Sequence, residues 1–264
     1  MPWARASALD RHLACPASSF LPQWRTGWSK GYLGIADPVP EIDGPVQDTS
    51  AADWGTALHD AKSDNDRAID PWKSALASVR NKYWPPALGI HEKAYAYDCE
   101  TGYLRCGPNN LPVEDMDKWK NAQATSCVIG TADFVGILPS GALWVDDLKT
   151  GWERPEVDTE SMLFYAFCHS FSHPSNELPY VQISITHAPR DEDPAVSVAN
   201  IRRYWMKVTK ERLNDFAIRL RQEWRKRKAG LDKSLPGPYC GYCPSASICP
   251  SVKPDTVTQL LEKD

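Results

Sequence analysis

Four cysteines constrain this chain more than any other feature, because a metal centre bound by all four would connect its two ends. Three of them stand close together in Cys240-Gly-Tyr-Cys243-Pro-Ser-Ala-Ser-Ile-Cys249, and the fourth lies far upstream in His12-Leu-Ala-Cys15-Pro16. Two thiolates at Cys-x2-Cys spacing reach one metal centre from a tight turn, which Gly241 favours. The ligand set suits Zn²⁺ and a 4Fe–4S cluster alike. Either centre would close a loop of more than two hundred residues.

The remaining composition is that of a soluble globular protein. The 264 residues are 42% hydrophobic and 24% charged, enough for one large domain or two small ones. No apolar run is long enough to span a bilayer, and the first ten residues lack the apolar segment and cleavage site of a secretion signal. We therefore expect a cytoplasmic protein with no membrane partner. Its eight cysteines are then thiols or metal ligands rather than disulfides.

Charge is distributed unevenly along the chain. The formal net charge is −4, but residues 200–233 contain twelve Lys/Arg and four Asp/Glu, which leaves −12 for the rest. A basic helix beside an acidic region suits a metal enzyme that binds phosphates, while a solvated helix face is the alternative. The residues expected to contact a DNA backbone are Arg225, Lys226, Arg227 and Lys228. Candidates for stacking on unpaired bases are Trp24, Trp28 and Trp84.

Local patterns predict alternating helices and strands. The predicted helices cover residues 6–14, 53–64, 71–83, 159–171 and 200–228. Strands are predicted within 92–106, over 127–138 and 142–148 as a hairpin, and over 180–187. Loops are predicted over 28–49 and 109–117. This order favours an α/β core with a mixed sheet.

The predicted strand around Asp147 carries the candidate chemistry. Side chains alternate across a strand, so Asp147 and Lys149 share one face while Asp146 points to the other. Asp133, on the preceding strand of the hairpin, can bring a second carboxylate to the same cation. Hard oxygen ligands favour Mg²⁺ or Mn²⁺, and the lysine would orient or help deprotonate the attacking water. A surface salt bridge is the alternative interpretation of the same pattern.

These motifs resemble the RecB-like branch of the PD-(D/E)xK nuclease superfamily, in particular its iron–sulfur members. Examples are the CRISPR-associated RecB-like exonucleases and the AddB nuclease domain. The matching elements, in order, are the opening helix with Cys15-Pro16, Gly55-Thr-Ala-Leu-His59, Gly130-Thr-Ala-Asp133, Asp147-Leu-Lys149-Thr-Gly151 and the C-terminal Cys-x2-Cys-x5-Cys. The resemblance spans nearly the whole chain but is dense only in these segments.

The resemblance implies a metal-dependent DNA exonuclease that hydrolyses phosphodiester bonds in single-stranded or end-frayed DNA. The implied catalytic residues are Asp133, Asp147, Lys149 and Tyr165. The implied ligands of Mg²⁺ or Mn²⁺ are His59, Asp133, Asp147 and Leu148, with Glu92 as a further acidic candidate that fits an ordinary exposed glutamate equally well. The implied 4Fe–4S ligands are Cys15, Cys240, Cys243 and Cys249. Recombination or CRISPR-adaptation proteins are candidate partners.

In fold class, the resemblance implies an α/β restriction-endonuclease-like core with a mixed central sheet flanked by helices. An iron–sulfur staple would join its N- and C-terminal regions. Residues 1–264 would then form one nuclease domain, in which 1–27 and 234–252 make the cysteine-cluster region. Residues 53–229 would form the catalytic core, with a basic helix over 200–229.

Two positions depart from the family pattern. The helix after the Asp-x-Lys strand often carries Gln-x-x-x-Tyr on one face, whereas this chain has Ser161 four residues before Tyr165, which puts the glutamine's role in doubt. Asp146 stands where the family mostly has an apolar residue, and it would cap a neighbour or face solvent. The alternative functions are a non-catalytic nucleic-acid-binding or assembly module, a zinc-stapled nuclease and a zinc-ribbon binding protein.

Overall fold

A mixed β-sheet organises the part of the chain that the computed structural model describes: residues 4–15, 82–107, 113–151, 154–174, 176–189, 196, 199–229 and 237. Its seven strands are β1 (Ala4–Arg5), β2 (Gly89–Asp98), β3 (Leu104–Cys106), β4 (Cys127–Ile137), β5 (Leu143–Gly151), β6 (Tyr180–Pro189) and β7 (Arg202–Thr209). The spatial order is β3-β2-β4-β5-β6-β7, and β1 pairs with β4 outside this path. The pairs β5–β6 and β1–β4 are parallel, and the others are antiparallel.

Four α-helices accompany the sheet in the described residues: α1 (Leu9–Ala14), α2 (Val113–Asn121), α3 (Glu160–Phe171) and α4 (Lys210–Lys228). A 3-10 turn over Ala6–Ala8 leads directly into α1. The hydroxyl of Thr159 caps α3 by accepting a hydrogen bond from the N–H of Met162. Helix α3 is apolar enough to be buried along most of its length, and α4 packs on it through an apolar stripe that includes Phe216 and Leu220.

The strands β4 and β5 separate partway along their length. Their ladder runs from Ile137–Leu143 to Phe134–Asp146 and ends there. Beyond that pair β5 stays on β6 to Gly151, and β4 stays on β2 back to Cys127. The short strand β1 pairs with β4 farther along, at Val128 and Ile129. We call the opening between residues 130–133 of β4 and 147–149 of β5 the fork.

Most of the predicted elements are confirmed. The hairpin of β4 and β5, the helix α3 and the strand β6 lie within a few residues of their predicted bounds, and the turn between β2 and β3 falls at Thr101-Gly102. The sheet is mixed and flanked by helices, as expected for an α/β core. The segments 28–49, 53–64 and 71–81 lie outside the described residues, as do most of the residues 234–252 of the expected cluster region.

The predicted helix over 200–228 is wrong in its first third, where the chain forms β7. The segment Arg202–Thr209 contains four aromatic or β-branched residues, which are enriched in strands, and it pairs along its whole length with β6. The hydroxyl of Thr209 then caps α4 by accepting from the N–H of Arg212. The predicted loop over 109–117 is also wrong in part, because α2 begins at Val113.

Within the described ranges, no helix combines the length and the apolar character needed to cross a bilayer.

Candidate active site

The two predicted carboxylates meet at the fork. Asp133 and Asp147 are the first residues beyond the last ladder pair of β4 and β5, and they are 7% and 9% exposed. The strands no longer bond to each other there, so Asp133 Oδ2 accepts the N–H of Leu148 at 2.7 Å. This bond orients the Asp133 carboxylate at the fork.

Lys149 completes the predicted trio on the same face of β5. Its Nζ lies 2.6 Å from Asp147 Oδ2, and its side chain is 54% exposed. Burial lowers the pKa of Lys149, but the charges of Asp147, Asp133 and Asp10 outweigh that effect and leave the pKa above its ordinary value. Lys149 is therefore a cation at neutral pH in this arrangement.

The fork opens into a cleft of about 450 Å³. Helix α3 contributes Tyr165 and Ser161 to its wall, which confirms that these two side chains share one helical face. Ser161 thus brings a hydroxyl to the position where the resembling family has glutamine, and this hydroxyl lies 3.0 Å from that of Thr159. The segment before α1, α1 itself and the end of α2 supply Arg5, Ser7, Asp10 and Lys120 to the lining.

Gly130 allows Tyr165 to reach the cleft. A Cβ at this position would lie 2.8 Å from Tyr165 Cε1 and 2.6 Å from the Cβ of Ala6. The glycine is therefore required by the close approach of α3 and the N-terminal segment to β4. Burial raises the pKa of Tyr165, and the charges of Asp147 and Asp133 raise it further, so that its hydroxyl stays protonated and can donate a hydrogen bond.

The ligand set for a metal is incomplete in the described residues. They contain no cluster of three or more His, Cys, Asp or Glu side chains that could hold a metal ion. Asp133 and Asp147 offer the hard oxygen atoms that Mg²⁺ or Mn²⁺ prefers. Leu148 packs its side chain into an apolar cluster, so only its carbonyl could be a ligand. The predicted histidine ligand, His59, lies outside the described residues.

Glu92 lies on β2 at the register position opposite Asp133, between the pairs that His91 and Lys93 form with β4. Its φ of 51° is in the left-handed region, which a non-glycine residue adopts only at a cost of about 1–3 kcal/mol. Its side chain is partly buried and its charge adds to the rise in the pKa of Tyr165. Glu92 is thus near the site rather than on a fully exposed surface.

Asp146 is fully buried on the opposite face of the sheet, so the expectation that it would face solvent is wrong. Its carboxylate accepts hydrogen bonds from Trp84 Nε1, Ser184 Oγ at 2.5 Å and Thr186 Oγ1 at 2.7 Å. The guanidinium of Arg203 lies 3.3 Å away and forms an ion pair with it. Burial raises the pKa of Asp146 to about 6, although Arg203 and the three donors oppose that rise. Because Trp84 is 1% exposed and bonded here, it is not placed to stack on a base.

Only one of the four predicted cluster cysteines can be located. Cys15 follows α1 and is partly exposed, whereas Cys240, Cys243 and Cys249 lie outside the described residues. The other four cysteines lack metal-ligand spacing, which favours core positions. Cys99, Cys127 and Cys168 are buried there, but Cys106 is exposed near the end of the hairpin.

The basic run at the end of α4 lies apart from the fork. Lys226 forms an ion pair with Glu223 at 2.6 Å, and Lys228 pairs with Glu100 in the turn between β2 and β3. None of Arg225, Lys226, Arg227 and Lys228 lines the cleft. The structure therefore does not bring this run together with the carboxylate pair, and its contact with DNA stays a prediction.

Sequence reasoning missed the polar residues that the N-terminal segment and α2 bring to the cleft. Ser7 and Asp10 stood inside the opening-helix motif, but this motif was assigned to the cysteine cluster alone. Asp10 Oδ1 accepts the N–H of Glu160 at 2.9 Å, which links α1 to the start of α3. Arg5 gave no signal, because a two-residue strand has no periodicity to detect.

Comparison with known proteins gives little beyond this geometry. No family model matches the chain, and no curated protein matches it. Among solved structures, the crystal structure of SSO0001 is similar, with a TM-score of 0.44 and 14% identity. That alignment covers 94% of this chain and 85% of the SSO0001 chain. Function is therefore inferred from the cleft itself.

Proposed function

We propose that this chain is a metal-dependent nuclease with a PD-(D/E)xK core, which hydrolyses phosphodiester bonds in DNA. The observation that carries the proposal is the convergence of Asp133, Asp147 and Lys149 at the fork of β4 and β5. Two carboxylates on neighbouring strands, with a lysine two residues beyond one of them, are what this chemistry requires. The three side chains that meet at the fork are the ones that the sequence motifs single out.

In this proposal the carboxylates hold Mg²⁺ or Mn²⁺, with His59, the carbonyl of Leu148 and water completing the ligand set. A cation held there would polarise the scissile phosphate and lower the pKa of a bound water. Asp133 is oriented for this role by the Leu148 N–H, which occupies one of its oxygens. The ammonium of Lys149 lies at the mouth of the cleft, where it can give up its ion pair with Asp147 and bind a phosphate oxygen. From there it can also position the attacking water.

The phenolic hydroxyl of Tyr165 can donate a hydrogen bond in the cleft, and close packing fixes its position beside Gly130. Its proposed role is to orient Lys149 or a phosphate oxygen. Single-stranded or end-frayed DNA is the proposed substrate, and exonuclease action is the proposed mode. Both rest on the family resemblance alone.

The nuclease proposal is tested by digesting end-labelled single-stranded and double-stranded DNA with Mn²⁺ or with EDTA. Asp147→Asn should lower the cleavage rate at least about a hundredfold, or about 3 kcal/mol of barrier. Asp115→Asn is the matched control, because Asp115 is exposed on α2 and outside the cleft. If the wild-type protein binds DNA but does not cut it with Mn²⁺, the nuclease proposal is refuted and a non-catalytic binding module is supported instead.

We also propose that Cys15 shares a 4Fe–4S cluster with Cys240, Cys243 and Cys249. Cys15 directly follows α1 and is only partly buried, which is compatible with its thiolate being one of the four cluster ligands. Anaerobically purified protein should contain about four irons per chain. The Cys15→Ser variant should lose iron. Cys106 is exposed and is not one of the expected ligands, so the Cys106→Ser variant should keep its iron. Stoichiometric zinc in place of iron would support the zinc-stapled alternative.

A further inference from the structure

The strand β1 places Arg5 in the wall of the cleft. Arg5 pairs with Ile129 of β4, and its exposed side chain lines the same cleft as the carboxylate pair. The next residue, Ala6, and Leu9 of α1 are both fully buried, so this segment is anchored on the sheet. No carboxylate of the described residues forms an ion pair with Arg5.

Helix α2 brings a second cation to this wall. Lys120 lies in its last turn and lines the cleft, while its neighbour Trp119 packs on a small apolar cluster with Ala96 and Ile129. Gln123 closes the helix end by donating to the carbonyl of Trp119 at 2.7 Å. Lys120 is therefore held beside the same stretch of β4 as Arg5.

A buried hydroxyl lies between this wall and the carboxylates. Thr131 shares the face of Ile129 and Asp133, because residues two apart on a strand point the same way. Its Oγ1 is buried and has no hydrogen-bond partner among the described residues. A buried hydroxyl left unpaired costs about 1–3 kcal/mol, so an atom of a ligand or water that bonds it is favoured.

The charges of the cleft balance only when nothing is bound. Asp10, Asp133 and Asp147 are three lining carboxylates, and Arg5, Lys120 and Lys149 are three lining cations. A divalent cation on the carboxylate pair would leave a net charge of +2. A bound polyanion is then attracted to the cleft, and the two cations of the wall are placed to receive it.

We propose that Arg5 and Lys120 form a subsite for a backbone phosphate that neighbours the scissile phosphate on the same nucleic-acid strand. Ile129, the partner of Arg5, is four residues from Asp133 along β4, which is about 13 Å at roughly 3.3 Å per residue. Arg5 thus meets a different phosphate from the one held at the carboxylates. The inference rests on the proposed function, and it makes the N-terminal segment part of the substrate site.

The test is equilibrium binding of a fluorescent single-stranded oligonucleotide, measured in EDTA at several salt concentrations. Each phosphate contact on a single strand contributes about 0.7 to the slope of log affinity against log salt. Arg5→Gln with Lys120→Gln removes the subsite for one phosphate and should therefore reduce the slope by about 0.7. The control pair, Arg105→Gln with Lys118→Gln, removes the same charge from nearby exposed positions outside the cleft and should leave the slope unchanged. Arg5→Lys, which keeps the charge, should retain its share of the slope.

An unchanged slope in the Arg5/Lys120 double variant would overturn the subsite, as would an equal reduction in the control pair. The two proposals fail in distinguishable ways. Wild-type protein that does not cleave DNA, but whose slope falls in the double variant, would refute the nuclease and leave the subsite standing. Wild-type protein that cleaves DNA with Mn²⁺, and whose slope does not change in the double variant, would refute only the subsite.

Discussion

Single substitutions of the adjacent residues Asp146 and Asp147 should have different effects, one mainly on stability and the other mainly on catalysis. Asp146 and Asp147 follow each other on β5 but face opposite sides of the sheet. The substitution of each by asparagine changes the same few atoms and removes one negative charge. We expect Asp146→Asn to destabilise the fold with a smaller direct effect on the chemistry. We expect Asp147→Asn to abolish cleavage while leaving the fold nearly intact.

The magnitude for Asp146 follows from its surroundings. Three side-chain donors and the guanidinium of Arg203 converge on a carboxylate with no exposed surface. The raised pKa of Asp146 shows that its buried charge is itself costly, so the loss on substitution comes from the hydrogen bonds. A buried donor left without an acceptor costs about 1–3 kcal/mol, and asparagine keeps only one acceptor oxygen for the converging donors, so we expect a loss of about 3 kcal/mol. The new amide N–H groups would also face donors instead of acceptors.

The magnitude for Asp147 is smaller because its ion pair is with Lys149, whose side chain is more than half exposed. Exposed pairs contribute about 0–1 kcal/mol, so Asp147→Asn should change the free energy of unfolding by less than that. Urea denaturation followed by tryptophan fluorescence measures both variants against wild type. A loss below about 1 kcal/mol for Asp146→Asn, or equal losses for the two variants, would refute the reasoning from opposite faces.

Three further predictions concern other parts of the fold. Gly130→Ala should lower the free energy of unfolding by about 1–3 kcal/mol, because the added Cβ meets Ala6 and Tyr165. If the variant unfolds at the same urea concentration as the wild type, this packing argument is wrong. Burial lowers the pKa of His169 to about 4, so the folded state holds this imidazole neutral. The free energy of unfolding should therefore be highest above pH 6.5, where the unfolded chain is neutral too, and should fall as the pH drops toward 4. The loss should total about 3 kcal/mol and be absent in His169→Gln, as pH-dependent unfolding would show. Neutralising Arg225 to Lys228 should reduce the salt slope of DNA binding by less than the roughly 2.8 expected for four phosphate contacts, because Lys226 and Lys228 already pair with carboxylates. An unchanged slope would mean that the run is only a solvated face.

The parts of the fold that the sequence predicted are those with local periodicity. The alternation of β4 and β5 placed Asp147 and Lys149 on one face, and the Thr159 cap and apolar run predicted α3. These signals arise within a few residues of the chain, so they survive without knowledge of the tertiary structure.

The parts that failed depend on contacts between distant segments. The strand β7 was taken for a helix because its lysines and arginines continue the basic run, and only pairing with β6 selects the strand. The environment of Asp146 could not be predicted from the sequence, because its partners come from residue 84 and from strands β6 and β7. Arg5 and Lys120 enter the cleft through β1 and α2, neither of which carries a sequence signal for that position.

The fork gives this sheet an edge in its interior. Where β4 and β5 part, each strand keeps a ladder on one side only, and unpaired backbone groups of this kind are templates for strand addition and aggregation. The two residues of β1 cover part of that edge by pairing with Val128 and Ile129. The same short strand that supplies Arg5 to the cleft therefore also shields the opened sheet from other chains. Substitutions that detach β1, such as a proline in place of Arg5, would expose the edge and favour self-association.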